Sequence, residues 1–188
     1  MGYGVVATEF IPAGTITWAI DKLDREFTPK EFKALDKIYQ NILDFYSFRN
    51  NKGNFVLCWD NGGFVNHSFN SNCLSTAYDF EIAIRDIQPG EQLTDDYGYL
   101  NIAEPFTALD EGTERKVVYP DDLLRCHKEW DEKLMSVFPA IPTVKQELGG
   151  LLSEALWEKV KSIAEGQNQM ESILLNYYPN GHGEAHKQ

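Results

Sequence analysis

Cysteine is scarce in this chain, and its scarcity excludes two chemistries at once. Cys58, Cys73 and Cys126 are odd in number and far apart, so neither a disulfide framework nor a paired CxxC zinc site is offered. The three suit a reducing cytoplasm. Long apolar runs are missing too: nothing approaches the ~20 residues that span a bilayer, and the N-terminus lacks the basic-then-apolar order of a secretory signal. We expect a cytoplasmic protein with no membrane partner. Positive charge is the third shortage, with 17 Lys and Arg against 29 Asp and Glu and a formal net charge of −12. Residues 1–100 carry 14 acids against 8 bases and residues 101–188 carry 15 against 9, so the deficit is even. Such a surface repels phosphate backbones and attracts cationic partners, which argues against direct nucleic-acid binding. No G-x-S-x-G elbow and no Gly-rich phosphate loop occurs, which removes the common hydrolase and kinase readings. Metal ligands are not grouped either: His67 stands alone, Cys126 and His127 are adjacent, and His182 and His186 lie in the tail, so no metal is expected.

What is present is enough apolar material for a core: 188 residues, 43% hydrophobic and 13% aromatic. From Gly4 to Ile20 the composition reads as strand, turn and strand around Pro12-Ala13-Gly14. Thr28-Pro29-Lys30-Glu31 has the form of a capping box. Phe32, Leu35, Ile38, Ile42 and Phe45 follow at helical spacing. That pattern predicts one helix with its apolar face on a sheet. "NFVLCW" returns to strand composition, and residues 74–87 read as a long strand or a hairpin in which Phe80, Ile82 and Ile84 share a face and Glu81 and Arg85 take the other. Beyond residue 100 helical patterns take over, one from Asp121-Asp122 to Pro139, one from about Ser153, and a short one over Met170 to Tyr177. The organisation expected is a core at 1–100, a connecting segment at 101–130, a helical region at 131–178 and a disordered tail at 179–188.

Three separated pieces carry the functional signal: "GYG" at 2–4, "NHS" at 66–68 and "GEQLTDDYG" at 90–98. In this order, with "IPAG" after the first and "FEIAIRDIQPGEQL" leading into the last, residues 2–100 resemble the SET-domain protein methyltransferases. The resemblance implies a mostly β fold with α, a β-clip of short strands in which the "NHS" and "DDYG" segments pass through and beside one another in a knot-like arrangement, followed here by a helical C-terminal region. It also implies S-adenosylmethionine as cofactor and a lysine-containing protein or peptide as substrate.

Residue by residue, the resemblance implies that Asn66 holds the amino-acid part of the cofactor, that His67 meets the adenine mainly through its backbone, and that Gly2, Tyr3 and Gly4 line the methionine end. Phe106 is the candidate for closing over the adenine, with Tyr119 as the other aromatic in reach. Tyr97 is the candidate catalytic residue, its hydroxyl beside the reacting methyl group. Tyr46, Tyr99 and Asp95 are candidate channel residues. Asp95 stands where the family commonly has Phe or Tyr, so it either faces the channel and meets an incoming ammonium or turns outward as a solvated acid. The segment "NIAEPFTALDEGTERKVVYPDDLL" carries no cysteine, unlike the zinc-binding tail of many relatives. The sequence leaves open two other functions: a non-catalytic SET-like interaction module, and methylation of a small or N-terminal amine. It says nothing of oligomeric state.

Overall fold

The structure, a computed structural model, describes residues 3–179; Gly2 and the tail residues 180–188 lie outside them. The N-terminal stretch makes only isolated bridges, Val6 with Gln92 and Ile11 with Ile87, before β1 (Ile16–Ala19). Then follow β2 (Arg25–Phe27), α1 (Pro29–Ala34), α2 (Lys37–Tyr46), β3 (Ser47–Arg49) and β4 (Phe55–Leu57). The capping box at Thr28 and Glu31 forms as expected, with both halves closed. The single helix does not: Leu35 and Asp36 are extended (ψ 153° and 151°), and the chain restarts with Asp36 as the next N-cap. Because the break rotates α2 away from the pattern set by α1, only Leu43 of α2 is buried, while Ile38, Ile42 and Phe45 face outward. The apolar face that the spacing assigns to a sheet is therefore mostly on the surface.

Three small sheets and one short parallel pair make up the rest of the β portion. They use β5 (Asn66–His67), β6 (Cys73–Ser75), β7 (Phe80–Ala83), β8 (Thr94–Asp95), β9 (Phe106–Thr107) and β10 (Val117–Val118). Residues 74–87 are the hairpin β6–β7, and β7 is the central strand of the order β1-β7-β6. All four residues of β7 are buried. β5 and β8 pair in parallel, Asn66 with Thr94 and His67 with Asp95, so the "NHS" and "DDYG" segments do lie side by side.

The helical region begins with α3 (Asp122–Val137), so the expected boundary at 130 falls inside a helix. Asp121 is its N-cap by position but makes no capping bond; instead Asp122 accepts from the Tyr119 N–H at 2.9 Å. Pro139 and Pro142 do not stop the chain abruptly but carry it on as a 3-10 turn, Phe138–Thr143. α4 (Glu154–Ala164) is capped by Ser153, and the expected helix over 170–177 shrinks to the 3-10 turn Ile173–Asn176. One apolar core joins sheet and helices: Ile16, Leu74, Phe80 and Ile82 pack with Leu123, Trp130, Leu134, Phe138, Val160 and Ile173. Burial of apolar surface at ~25 cal/mol per Å² holds these helices against the sheet. No helix among the described residues is long and apolar enough to cross a membrane.

Candidate active site

The parallel pair β5–β8 is short, and side chains rather than ladder bonds hold it. Asn72, 1% exposed, donates from Nδ2 to the Gln92 carbonyl (2.8 Å) and accepts on Oδ1 from the Thr94 N–H (2.9 Å). Its role is thus to satisfy the backbone of the opposite segment. The Ser68 N–H donates to the Asp95 carbonyl at 2.8 Å, and the Tyr97 N–H donates to Nδ1 of His67 at 3.1 Å. With Nδ1 accepting, the neutral imidazole carries its proton on Nε2. Burial pushes the His67 pKa down, only partly opposed by Asp96 and Glu111, which keeps the ring neutral.

These segments wall one large cavity of about 1840 Å³, more volume than a single small ligand fills. Tyr3, Tyr46, Asn66, His67, Asp95, Tyr97, Tyr99 and Phe106 all line it. Asn66 donates from Nδ2 to the Tyr3 carbonyl at 2.9 Å, which leaves its Oδ1 as an acceptor. Gly4 lies so close to the same wall that a Cβ would stand 2.1 Å from Gln92 Nε2 and 2.9 Å from Asn66 Nδ2; only glycine lets the backbone approach there. Nε2 of His67 is buried with no partner. A donor, an acceptor and an open backbone edge on one wall fit a zwitterionic ligand that carries a purine.

Tyr97 sits in a 3-10 turn after β8, Tyr97–Tyr99. Its hydroxyl donates to the Val65 carbonyl at 2.6 Å. Burial and the nearby Asp95 charge push its pKa up to about 12, so at neutral pH it is a phenol and a positioning group, not a phenolate base. Phe106 packs edge-on against His67 (5.6 Å between centroids) and against Tyr97 (6.3 Å). Tyr119 is not at the cavity; Arg125 lies over its ring at 4.7 Å. The loop bearing Phe106 is tied to the core by Glu111, which accepts from the Ser68 hydroxyl and the Phe69 N–H, each at 2.9 Å. It is tied again by Arg115, whose guanidinium bridges Asp96 and Asp122. Gly98 makes room for that bridge, since a Cβ would lie 2.8 Å from Arg115 Nη2.

Sequence reasoning left Asp95 two options, and the structure rejects one of them. Asp95 is not a solvated acid: it is 7% exposed and lines the cavity. It also has a companion that the pattern did not suggest, Glu81 of β7, 5% exposed and lining the same cavity. Strand alternation does put Glu81 opposite Phe80 and Ile82, but that opposite face is the cavity wall and not solvent. Carboxyl oxygens of Glu81 and Asp95 and Sγ of Cys73 lie within 4.8 Å of one another. The spacing would admit an ion, a grouping that reading His and Cys along the sequence passed over. The donor chemistry speaks against one, because the Cys73 thiol donates to Asn72 Oδ1 (3.5 Å) and is held as S–H, and its burial raises its pKa further. The aromatic rings of Phe48 and Phe55 also line the cavity. Trp59 instead donates its indole N–H to Asp21, and Tyr78 accepts from the Glu171 N–H.

A family model described as SET domain matches residues 2–98. Among solved structures, that of a candidate histone methyltransferase of Plasmodium falciparum is similar at 18% identity and a TM-score of 0.38, covering 50% of this chain and 82% of that one. No curated protein matches the chain.

Proposed function

The chain belongs to the SET-domain family, a family of methyltransferases, and from that premise we propose that it transfers a methyl group from S-adenosylmethionine to the ε-amine of a protein lysine. The observation that supports this reading is the β5–β8 pairing, which brings Asn66 and His67 beside Tyr97 in a single cavity that Phe106 also lines. Bound there, S-adenosylmethionine supplies a methyl group on a positively charged sulfur. Asn66 Oδ1 would accept from the cofactor's ammonium, the Nε2–H of His67 supplies a buried donor, and Phe106 offers an aromatic face over the ring.

The residues of this chain do the remaining work by placement. Tyr97 is fixed by its bond to Val65, so its oxygen holds one position and offers a neutral acceptor rather than a charge. Phe48, Phe55 and Val65 give the cavity an apolar stretch of wall, which favours the neutral form of an entering amine. The excess of acid groups over the whole chain favours encounter with lysine-rich segments.

Calorimetric titration with S-adenosylmethionine tests the reading, followed by transfer of labelled methyl groups to pools of lysine-bearing peptides. Saturable binding is expected, lost in Asn66→Ala and kept in Tyr97→Phe, with transfer lost in both. A cofactor at a hundredfold excess over Kd should add ~2.7 kcal/mol of stability. Absence of binding to the wild-type protein would sink the proposal.

A further inference from the structure

The last described stretch of the chain is fastened to the wall of the cavity, a feature that the cofactor reading does not use. Asn101, close after Tyr97 and 1% exposed, ties three segments together. Its Nδ2 donates to the Arg49 carbonyl at 2.9 Å and to the Asn176 carbonyl at 2.8 Å, and its Oδ1 accepts from the Tyr178 N–H at 2.9 Å. It does so from a left-handed backbone (φ 52°), which asparagine tolerates better than most residues. Asn176 Nδ2 donates in turn to the Thr76 carbonyl at 2.9 Å, and Asn51 Nδ2 to the Leu175 carbonyl at 3.1 Å. The Tyr178 ring packs on Gly53, where a Cβ would stand 2.3 Å from its Cζ. Arg49, Asn51, Thr76, Asn101 and Asn176 all line the cavity. Residues 175–178 are thus held at the cavity through their backbone, and residues 180–188 continue from there after Pro179.

We propose that residues 180–188 enter the cavity from this anchor and present Lys187 to Tyr97, which makes Lys187 a methyl acceptor within the protein's own chain. The inference rests on the methyltransferase reading. Three observations select this occupant. The segment reads "NGHGEAHKQ", with Lys187 its single lysine and Gly181, Gly183 and Ala185 before it, so few side chains hinder its passage along a wall. Reach suffices, because eight residues beyond Pro179 extended at ~3.3–3.6 Å each span ~26–29 Å, against ~15 Å across for a round cavity of about 1840 Å³. Charge matches as well: seven Asp and Glu but one Arg line the cavity, with Asp44, Glu104 and Glu111 at exposed positions. Such a lining attracts a cationic lysine. The tether adds an effective concentration on the order of millimolar, which a separate substrate must match.

The step balances with S-adenosylmethionine as the methyl donor. The Lys187 ammonium first releases one proton to solvent, and its nitrogen keeps the electron pair. That lone pair forms the new N–C bond to the methyl carbon while the C–S bond breaks with its electrons left on sulfur, which gives the neutral thioether S-adenosylhomocysteine. Lys187 becomes a methylammonium, still cationic, so its attraction to the acidic lining outlasts the reaction.

Two readouts test this on the full chain. Without cofactor, its hydrogen exchange is compared with that of a chain cut after Pro179, which keeps every anchor named above. The backbone of Asn50, Asn51 and residues 102–104 should exchange slower by ~tenfold or more in the full chain. With labelled S-adenosylmethionine, peptide mass spectrometry should find the methyl group on Lys187, at a fractional rate that dilution of the protein leaves unchanged. Lys187→Arg should abolish the label and retain the protection, because a guanidinium keeps the charge and offers no amine. Equal exchange in the two chains would overturn the docking. Lys187 left unmodified by a chain that methylates added peptides would overturn the acceptor, and a rate that falls on dilution would move the reaction to a second copy and overturn it equally. Protection without any binding of S-adenosylmethionine would sink the methyltransferase reading instead, and the acceptor role with it, while the docked segment stood.

Discussion

Two groups of buried polar residues in this fold are treated in opposite ways. In the knot, Asn72, Asp96 and Asp122 are 1–2% exposed, and their side chains are bonded to the Gln92 and Thr94 backbone, to Arg115, and to the Tyr119 N–H. In the cavity wall Asp95 and Tyr99 are also buried, yet Asp95 Oδ1 and the Tyr99 hydroxyl close no hydrogen bond of ordinary length, with Glu81, Asp95 and Tyr99 acting on one another only at longer range. Asp95 and Asp96 are sequence neighbours that point to opposite fates. Matched polar groups hold two non-adjacent segments in register, which is a structural task. Unmatched ones raise the free energy of the folded state.

If that contrast is right, equivalent substitutions should have opposite signs in the two places. The largest effect belongs to Asp96→Ala, which leaves the half-buried Arg115 facing Asp122 alone and frees the loop that carries Phe106. A loss of ~3–5 kcal/mol is expected in urea denaturation. Asn72→Ala comes next, at ~2–3 kcal/mol, since it strands the Gln92 carbonyl and the Thr94 N–H in the interior. Stability unchanged in both would erase the distinction.

On the unmatched side, Asp95→Asn should stabilise the protein by ~1–2 kcal/mol at pH 7.5. The sign follows from its pKa, raised in the folded protein to about 6. Between the ordinary carboxyl value and 6 the native state holds a proton that the unfolded chain has released, so this residue's contribution is fullest below ~3.9 and is lost as pH rises through 6. The stability difference between variant and wild type should therefore widen from pH 4 to pH 7.5. A constant difference would mean that Asp95 is not carrying the charge.

Much of the knot was legible in the sequence and little of the wall at Glu81 and Asp95 was. "NHS" and "DDYG" announce themselves as motifs, and the structure does pair Asn66 and His67 with Thr94 and Asp95. The capping box at Thr28 and the helix after Ser153 were legible for a local reason, since caps act within four residues. Glu81 was not, because alternation says which face a side chain takes but not what lies beyond that face, and only the packing of β7 as a central strand turns it inward. The break at Leu35-Asp36 escaped for the complementary reason: apolar spacing ran on through it while the backbone did not.

The smallest expected effect lies outside both groups and calibrates them. Thr28 caps α1 on the surface: its Oγ1 accepts from the Glu31 N–H at 3.2 Å, and Glu31 accepts in return from the Thr28 N–H at 2.8 Å. Thr28→Ala removes that first bond and the one Oγ1 donates to Glu31 at 2.7 Å, but the Glu31 N–H it strands turns to water, so the loss should be only ~1 kcal/mol. The pull of Thr28 on Glu31, whose pKa is lowered chiefly by that side chain, goes with it. Measured beside Asn72→Ala, which breaks bonds of the same kind in the interior, it separates the worth of a hydrogen bond from the cost of stranding its partner. If the two losses were equal, burial would not be what distinguishes the knot from the surface, and the contrast with Asp95 and Tyr99 would weaken with it.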